Sequence, residues 1–192
     1  MKRIATIGLG ANLSSRAGAP EQTLVAAVDD LVREGRIVAR SSLWRTEPVG
    51  YADQPAFVNA VLRLETELEP EALLERLLAI ERSYGRDRSR DVPKGPRTLD
   101  LDLLLVDECT VNTERLTLPH PALPERRFVL APLAEIAAEL RHPTLHATMA
   151  ELLAALPEAG PNRSGAVTKL GGDESAERAT SAEKAPSMRR TP

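Results

Sequence analysis

At 192 residues the chain has room for one well-buried domain and an appendage, and its 42% hydrophobic and 28% charged residues place it among globular proteins. A formal net charge of -3 offers no nucleic-acid-sized basic surface, no run of about 18 apolar residues exists to span a bilayer, and Cys109, the single cysteine, excludes an internal disulfide. The residues after Met1 lack the apolar core and small-residue cleavage site of a secretory leader, so a cytoplasmic protein is expected.

Residues 3–9 read as a strand, and residues 20–34 as a helix with Leu24, Val28, Leu31 and Val32 in one stripe, broken by Gly35. Residues 36–44 read as a second strand. Residues 57–65 alternate as a third, residues 70–84 form a helix that starts at proline and stops at Gly85, and residues 99–106 form an apolar strand. The order β-α-β-β-α-β predicts an α+β, ferredoxin-like antiparallel sheet with both helices on one face and the other face free for a ligand. Residues 113–157 are proline-rich and then helical around 128–140 and 148–156, a C-terminal helical addition covering the sheet. Residues 161–192 have almost no large apolar side chains and are expected to be a disordered tail, which leaves one domain over residues 1–160.

In the strand Leu99-Asp100-Leu101-Asp102-Leu103 the leucines enter the core while both carboxylates leave on the opposite face, about 7 Å apart. Two like charges so placed call for a cation, and hard oxygen ligands beside a phosphate suit Mg²⁺; a plain solvated strand face is the alternative. Just before this strand, Arg86, Arg88, Arg90, Lys94 and Arg97 form a cationic loop broken by Gly85, Pro93, Gly95 and Pro96. Its guanidinium groups could bind phosphate oxygens and close over a nucleotide. Phe57 and Asn59 share one strand face, where an aromatic ring and a carboxamide suit a planar heterocycle; a core Phe beside a surface Asn is the alternative. His120, between Pro119 and Pro121, reads as a nucleotide contact or a turn residue. No P-loop occurs, and Gly8-Leu9-Gly10-Ala11-Asn12-Leu13 lacks the third glycine of a dinucleotide fingerprint.

The stretch Gly95-Pro96-Arg97-Thr98-Leu99-Asp100-Leu101-Asp102-Leu103-Leu104 resembles the signature of the 6-hydroxymethyl-7,8-dihydropterin pyrophosphokinase family of folate biosynthesis. Further segments agree in order: Gly10-Ala11-Asn12-Leu13, Arg45-Thr46-Glu47-Pro48-Val49-Gly50, Asp53-Gln54-Pro55-Ala56-Phe57-Val58-Asn59, Gly85-Arg86-Asp87-Arg88, Pro119-His120-Pro121 and Arg126-Arg127-Phe128. The resemblance implies that Asp100 and Asp102 bind two Mg²⁺ ions bridging ATP, with Arg86 and Arg97 as catalytic arginines. The pterin would lie between Phe57 and Phe128 with Asn59 bonding its edge, and Thr46 and Val49 would add backbone contacts. Glu81, Arg88, Leu103, Arg115, Thr117, His120 and Arg126 match the nucleotide side. The acceptor hydroxymethyl oxygen would attack the β-phosphorus and release AMP, without a covalent intermediate.

The sequence departs from the family pattern at Lys94, where a lid tryptophan is usual, at Ala11 in place of serine, and in a segment 86–97 that is one residue longer. A monofunctional monomer that binds ATP and a reduced pterin, and neither nucleic acid nor membrane, is expected. The competing reading is a ferredoxin-like module that senses a nucleotide or single-stranded RNA without turnover. Alanine at Asp100 or Asp102 is expected to abolish turnover and leave the fold intact.

Overall fold

Alternation in the first strand already sorts the two faces of the sheet. The computed structural model describes residues 1–48, 53–88, 95–157 and 166–170, and in it β1 (Arg3–Ala11) buries Ala5, Ile7, Leu9 and Ala11 on one side. Thr6, Gly8 and Gly10 fall on the other by the two-residue period of a strand. Val58, Ala60, Leu62 and Leu64 of β4 (Phe57–Thr66) and Leu101 and Leu103 of β5 (Asp100–Val106) join the first face.

Two helices close that face. Helix α1 (Pro20–Leu31) presents Leu24, Ala27, Val28 and Leu31, and α2 (Pro70–Ser83) presents Leu73 and Leu77. Both start at a proline, whose missing N–H has no partner to lose in the first turn. The Gln22 carboxamide oxygen accepts from Ala19 N at 2.9 Å to finish the start of α1. Past α1 the chain turns tightly at Gly35, where a Cβ would stand 2.2 Å from the Glu65 carbonyl oxygen, so no other residue fits without a shift. Each fully buried leucine of this core contributes about 2 kcal/mol of apolar burial.

With β3 (Trp44–Thr46) and β8 (Val167–Lys169), the sheet runs in the order β5-β1-β4-β3-β8, and its pairings are antiparallel; β2 (Arg36–Arg40) also pairs with β4. The strand expected over 36–44 is therefore two strands, β2 and the three-residue β3 (Trp44–Thr46), because the ladder shifts between Ile37 and Ala39 and the chain breaks at Ser41. A hairpin of β6 (Val111–Asn112) and β7 (Thr117–Leu118) follows β5.

The second face is half covered, as expected of the C-terminal helical addition. Helices α3 (Arg127–Ala137) and α4 (Met149–Ala155) pack Val129, Leu130, Leu133 and Met149 onto Val61, Leu104 and Leu105. Leu104 and Leu105 are both buried because the β1–β5 register slips between Thr6 and Ile7, which bulges the strand. One finding narrows the expectation of disorder over 161–192: Val167–Lys169 forms β8 on the outer edge of β3, and Leu170 packs against the first core. The edge of β3 offers unpaired backbone groups, and β8 satisfies them. The other residues from 158 onward lie outside the described residues.

Candidate active site

Beside the first turn of α3, the second face opens as a cleft lined by Gly8, Gly10, Asn59, Asp100, Asp102 and Phe128. The sheet register fixes its order. Lys169 pairs with Trp44, Trp44 with Asn59, Asn59 with Gly10 and Gly10 with Asp100, so these five residues form one row across the strands. Two inter-strand steps put Asn59 about 10 Å from Asp100, with only the glycine backbone between them.

At one end of the row stand the carboxylates. Asp100 Oδ1 receives Arg86 Nη1 at 2.5 Å and Oδ2 receives Arg97 Nη1 at 2.7 Å, while Arg126 Nη1 donates to Asp102 Oδ2 at 2.9 Å. Burial would raise the Asp100 pKa, but the Arg97 and Arg86 guanidinium groups outweigh it and hold the carboxyl below its ordinary value. Asp100 is thus ionised across the physiological range. Glu81, 1% exposed, accepts from Leu101 N at 2.8 Å and from Arg88 Nε and Nη2 at 3.0 and 2.9 Å. Beneath the strand it anchors both β5 and Arg88.

At the other end, Asn59 Nδ2 donates to Thr46 Oγ1 at 2.8 Å, which orients the carboxamide and leaves its oxygen facing Gly10. The Arg97 guanidinium carbon lies 5.6 Å from the centroid of Phe57, and that of Arg126 lies 5.7 Å from Phe128. Each arginine therefore spans from a carboxylate to an aromatic wall, Arg97 from Asp100 to Phe57 and Arg126 from Asp102 to Phe128.

The family of 7,8-dihydro-6-hydroxymethylpterin-pyrophosphokinase (HPPK) has a model that matches residues 6–138. The 2-amino-4-hydroxy-6-hydroxymethyldihydropteridine pyrophosphokinase of Pseudomonas aeruginosa is 46% identical over 159 residues, covering 82% of this chain and 94% of that one. This chain belongs to the HPPK family. The Bacillus subtilis pyrophosphokinase is 44% identical over 142 residues, covering 73% of this chain and 81% of that one. The folic acid synthesis protein fol1 of Schizosaccharomyces pombe is 38% identical over 159 residues, but this chain spans only 21% of its length. Among solved structures, Plasmodium falciparum HPPK-DHPS with pteroate superposes with a TM-score of 0.61 at 15% identity, covering 80% of this chain and 42% of that one, a likeness of fold.

Against the HPPK pattern, the structure brings Arg86, Arg97, Asp100, Asp102, Phe57, Asn59, Thr46, Phe128 and Arg126 to the cleft and its rim. Leu103 is buried in the first core, so only its backbone can serve a ligand. His120 follows the cis Leu118–Pro119 bond and donates its N–H to Leu104 O at 2.8 Å, while its Nδ1 accepts from Ala122 N at 3.1 Å. Burial pushes its pKa below the ordinary value against the attraction of Asp102, leaving a neutral ring with its proton on Nε2. Arg115 pairs with Glu75 at 3.2 Å, both well exposed, and Thr117 is exposed on β7 beside β5. Val49 and Lys94 lie outside the described residues.

Two residues escaped the sequence reading of the site. Asn12, 3% exposed, donates to Gln54 Oε1 and Pro55 O at 3.1 and 3.0 Å and accepts from Arg97 N at 2.8 Å. It staples the chain before Phe57 to the arginine-bearing chain before Asp100. It stood in the segment Gly10 to Leu13 singled out above, but nothing in its spacing revealed a partner 85 residues away. Glu135 of α3 is the second, and carried no local signal at all.

Proposed function

We propose that this chain transfers the pyrophosphoryl group of ATP to the hydroxymethyl oxygen of 6-hydroxymethyl-7,8-dihydropterin, releasing AMP, in folate biosynthesis. The observation that carries this reading is the row Asn59-Gly10-Asp100. In it the Asn59 amide stands about 10 Å from Asp100, which supports an amide for the heterocycle and carboxylates for metal-bound phosphate, a gap that a pterin ring and its exocyclic carbon can cross. Phe57 and Phe128 would hold the ring, Asn59 its hydrogen-bonding edge, and the backbone at Thr46 and Val49 its remaining polar atoms.

Among the described residues no cluster of three or more His, Cys, Asp or Glu side chains is assembled. Asp100 and Asp102 fit Mg²⁺, which takes one or two carboxylates and fills its shell with water and substrate phosphate. Bound with ATP as two ions, Mg²⁺ would neutralise charge on the polyphosphate. Arg86 and Arg97, which pair with Asp100, Arg126, which pairs with Asp102, and Arg88, held by Glu81, would supply the guanidinium groups for the phosphates. The hydroxymethyl oxygen forms the new bond to the β-phosphorus, the bond from that phosphorus to the α–β bridging oxygen breaks, and AMP leaves. The hydroxyl proton passes to solvent. Glu81, Leu103, Arg115, Thr117 and His120 belong to the nucleotide side of this reading.

We read β2 and β3 as one broken strand, which gives the sheet the ferredoxin-like order. The working unit is the monomer, since both sets of ligands lie on one chain, and an ATP-dependent step of this kind belongs in the cytoplasm. Nucleotide analysis of the protein with ATP, Mg²⁺ and the pterin tests the proposal. AMP that appears only with both pterin and metal supports it; ADP, or unchanged ATP, overturns it.

A further inference from the structure

Beyond the cleft, one carboxylate gathers donors from two separate parts of the chain, residues 42–44 and Lys169. Glu135 lies on α3 two turns after Phe128, on the same helical face. Its oxygens accept from Ser42 N at 3.2 Å, Ser42 Oγ at 2.7 Å, Trp44 Nε1 at 2.9 Å and Lys169 Nζ at 3.0 Å. Ser42 and Trp44 lead into Thr46, which orients Asn59.

Strand β3 is only three residues long, and alone at a sheet edge it would fray. β8 makes it an interior strand: Glu47 N donates to Ala166 O at 3.0 Å and Leu170 N to Leu43 O at 2.8 Å. The alternation between those two bonds places Arg45 and Thr168 in the hydrogen-bonded class of pairs. Residues 166–170 lie beyond the residues 6–138 that the family model matches.

We propose that Glu135 is a positioning residue for the pterin pocket and that residues 166–170 complete it. Together they clamp β3 to α3 and so fix the gap between the Thr46–Asn59 pair and Phe128. The assignment rests on the pterin reading above and extends it to a segment outside the family match.

Trp44 is the single tryptophan, and its indole N–H bonds Glu135, so its emission reports the clamp without any substrate. Two full-length variants test it, Glu135→Ala and Thr168→Pro, the second of which removes one ladder donor between β8 and β3 and leaves the Glu135 side chain in place. Each should red-shift Trp44 emission and raise the KM for the pterin about tenfold, the scale of a lost charge-assisted hydrogen bond. The KM for ATP and kcat should stay within about twofold of wild type, and Glu135→Gln should restore part of the pterin KM. Unchanged Trp44 emission, or a fall in ATP affinity equal to that for the pterin, would overturn the clamp. If Glu135→Ala fails to fold, Thr168→Pro decides by the same readouts. A wild-type chain that makes no AMP would defeat the activity reading, while the emission of the two variants would still judge the clamp.

Discussion

Gly10 offers a test in which stability and function move apart. A Cβ there would lie 3.0 Å from Asn59 Oδ1 and 3.9 Å from Asp100 Cβ, in the middle of the row that joins the two halves of the site. Asn59 cannot yield freely, because its amide is bonded to Thr46 Oγ1 at 2.8 Å. Gly10→Ala therefore either breaks that bond, at about 1 kcal/mol, or crowds the ring with a methyl group, at about 1–3 kcal/mol. Either cost corresponds to a rise of roughly 5- to 150-fold in the pterin KM. Backbone strain does not enter, and alanine in a strand interior is favoured over glycine by about 0.5–1 kcal/mol. The two effects nearly cancel, so Gly10→Ala should melt close to the wild-type temperature while losing pterin affinity and keeping ATP affinity. Steady-state kinetics with each substrate varied, beside a thermal melt, would show it. A wild-type pterin KM in Gly10→Ala would refute the argument that this glycine clears the floor of the cleft.

The two aspartates should separate in stability though not in activity. Asp102 and Arg126 are both about one-third exposed, so Asp102→Ala should cost under about 1 kcal/mol while abolishing AMP formation. Asp100 faces the Arg86 side chain, which is 7% exposed, so Asp100→Ala should also lose about 3 kcal/mol in urea unfolding. In the core, Leu77→Ala should cost about 2–5 kcal/mol by the same measurement, without changing either KM in the folded fraction. His142, 4% exposed and away from the cleft, has its pKa pushed below 6.5 by burial. A depressed histidine favours its neutral form, so the stability it contributes is fully present above about pH 6.5 and is lost as pH falls through the lower folded value. Urea midpoints from pH 7.5 to 5 should therefore fall less steeply in His142→Asn than in wild type; equal slopes would remove this histidine as the cause.

Much of the fold was legible because it follows from local periodicity. The alternation in β1, β4 and β5 separated Asp100, Asp102, Phe57 and Asn59 from the core-facing leucines, and prolines at Pro20 and Pro70 marked the helix starts. The break of the second strand at Ser41 was not legible, since it depends on how β2 meets β4 rather than on its own residues.

Local chemistry also let the sequence determine by itself which residues carry charge and ring surface, and the ordered motifs that mark the HPPK family. Only the tertiary structure decided how they meet. Register placed Gly10 between Asn59 and Asp100, and packing set Arg126 between Asp102 and Phe128. A strand from residues 167–169, expected to be disordered, reached β3, and Glu135 joined it to α3. Those contacts span tens of residues, and their energies depend on distances that no local pattern encodes until the sheet has closed.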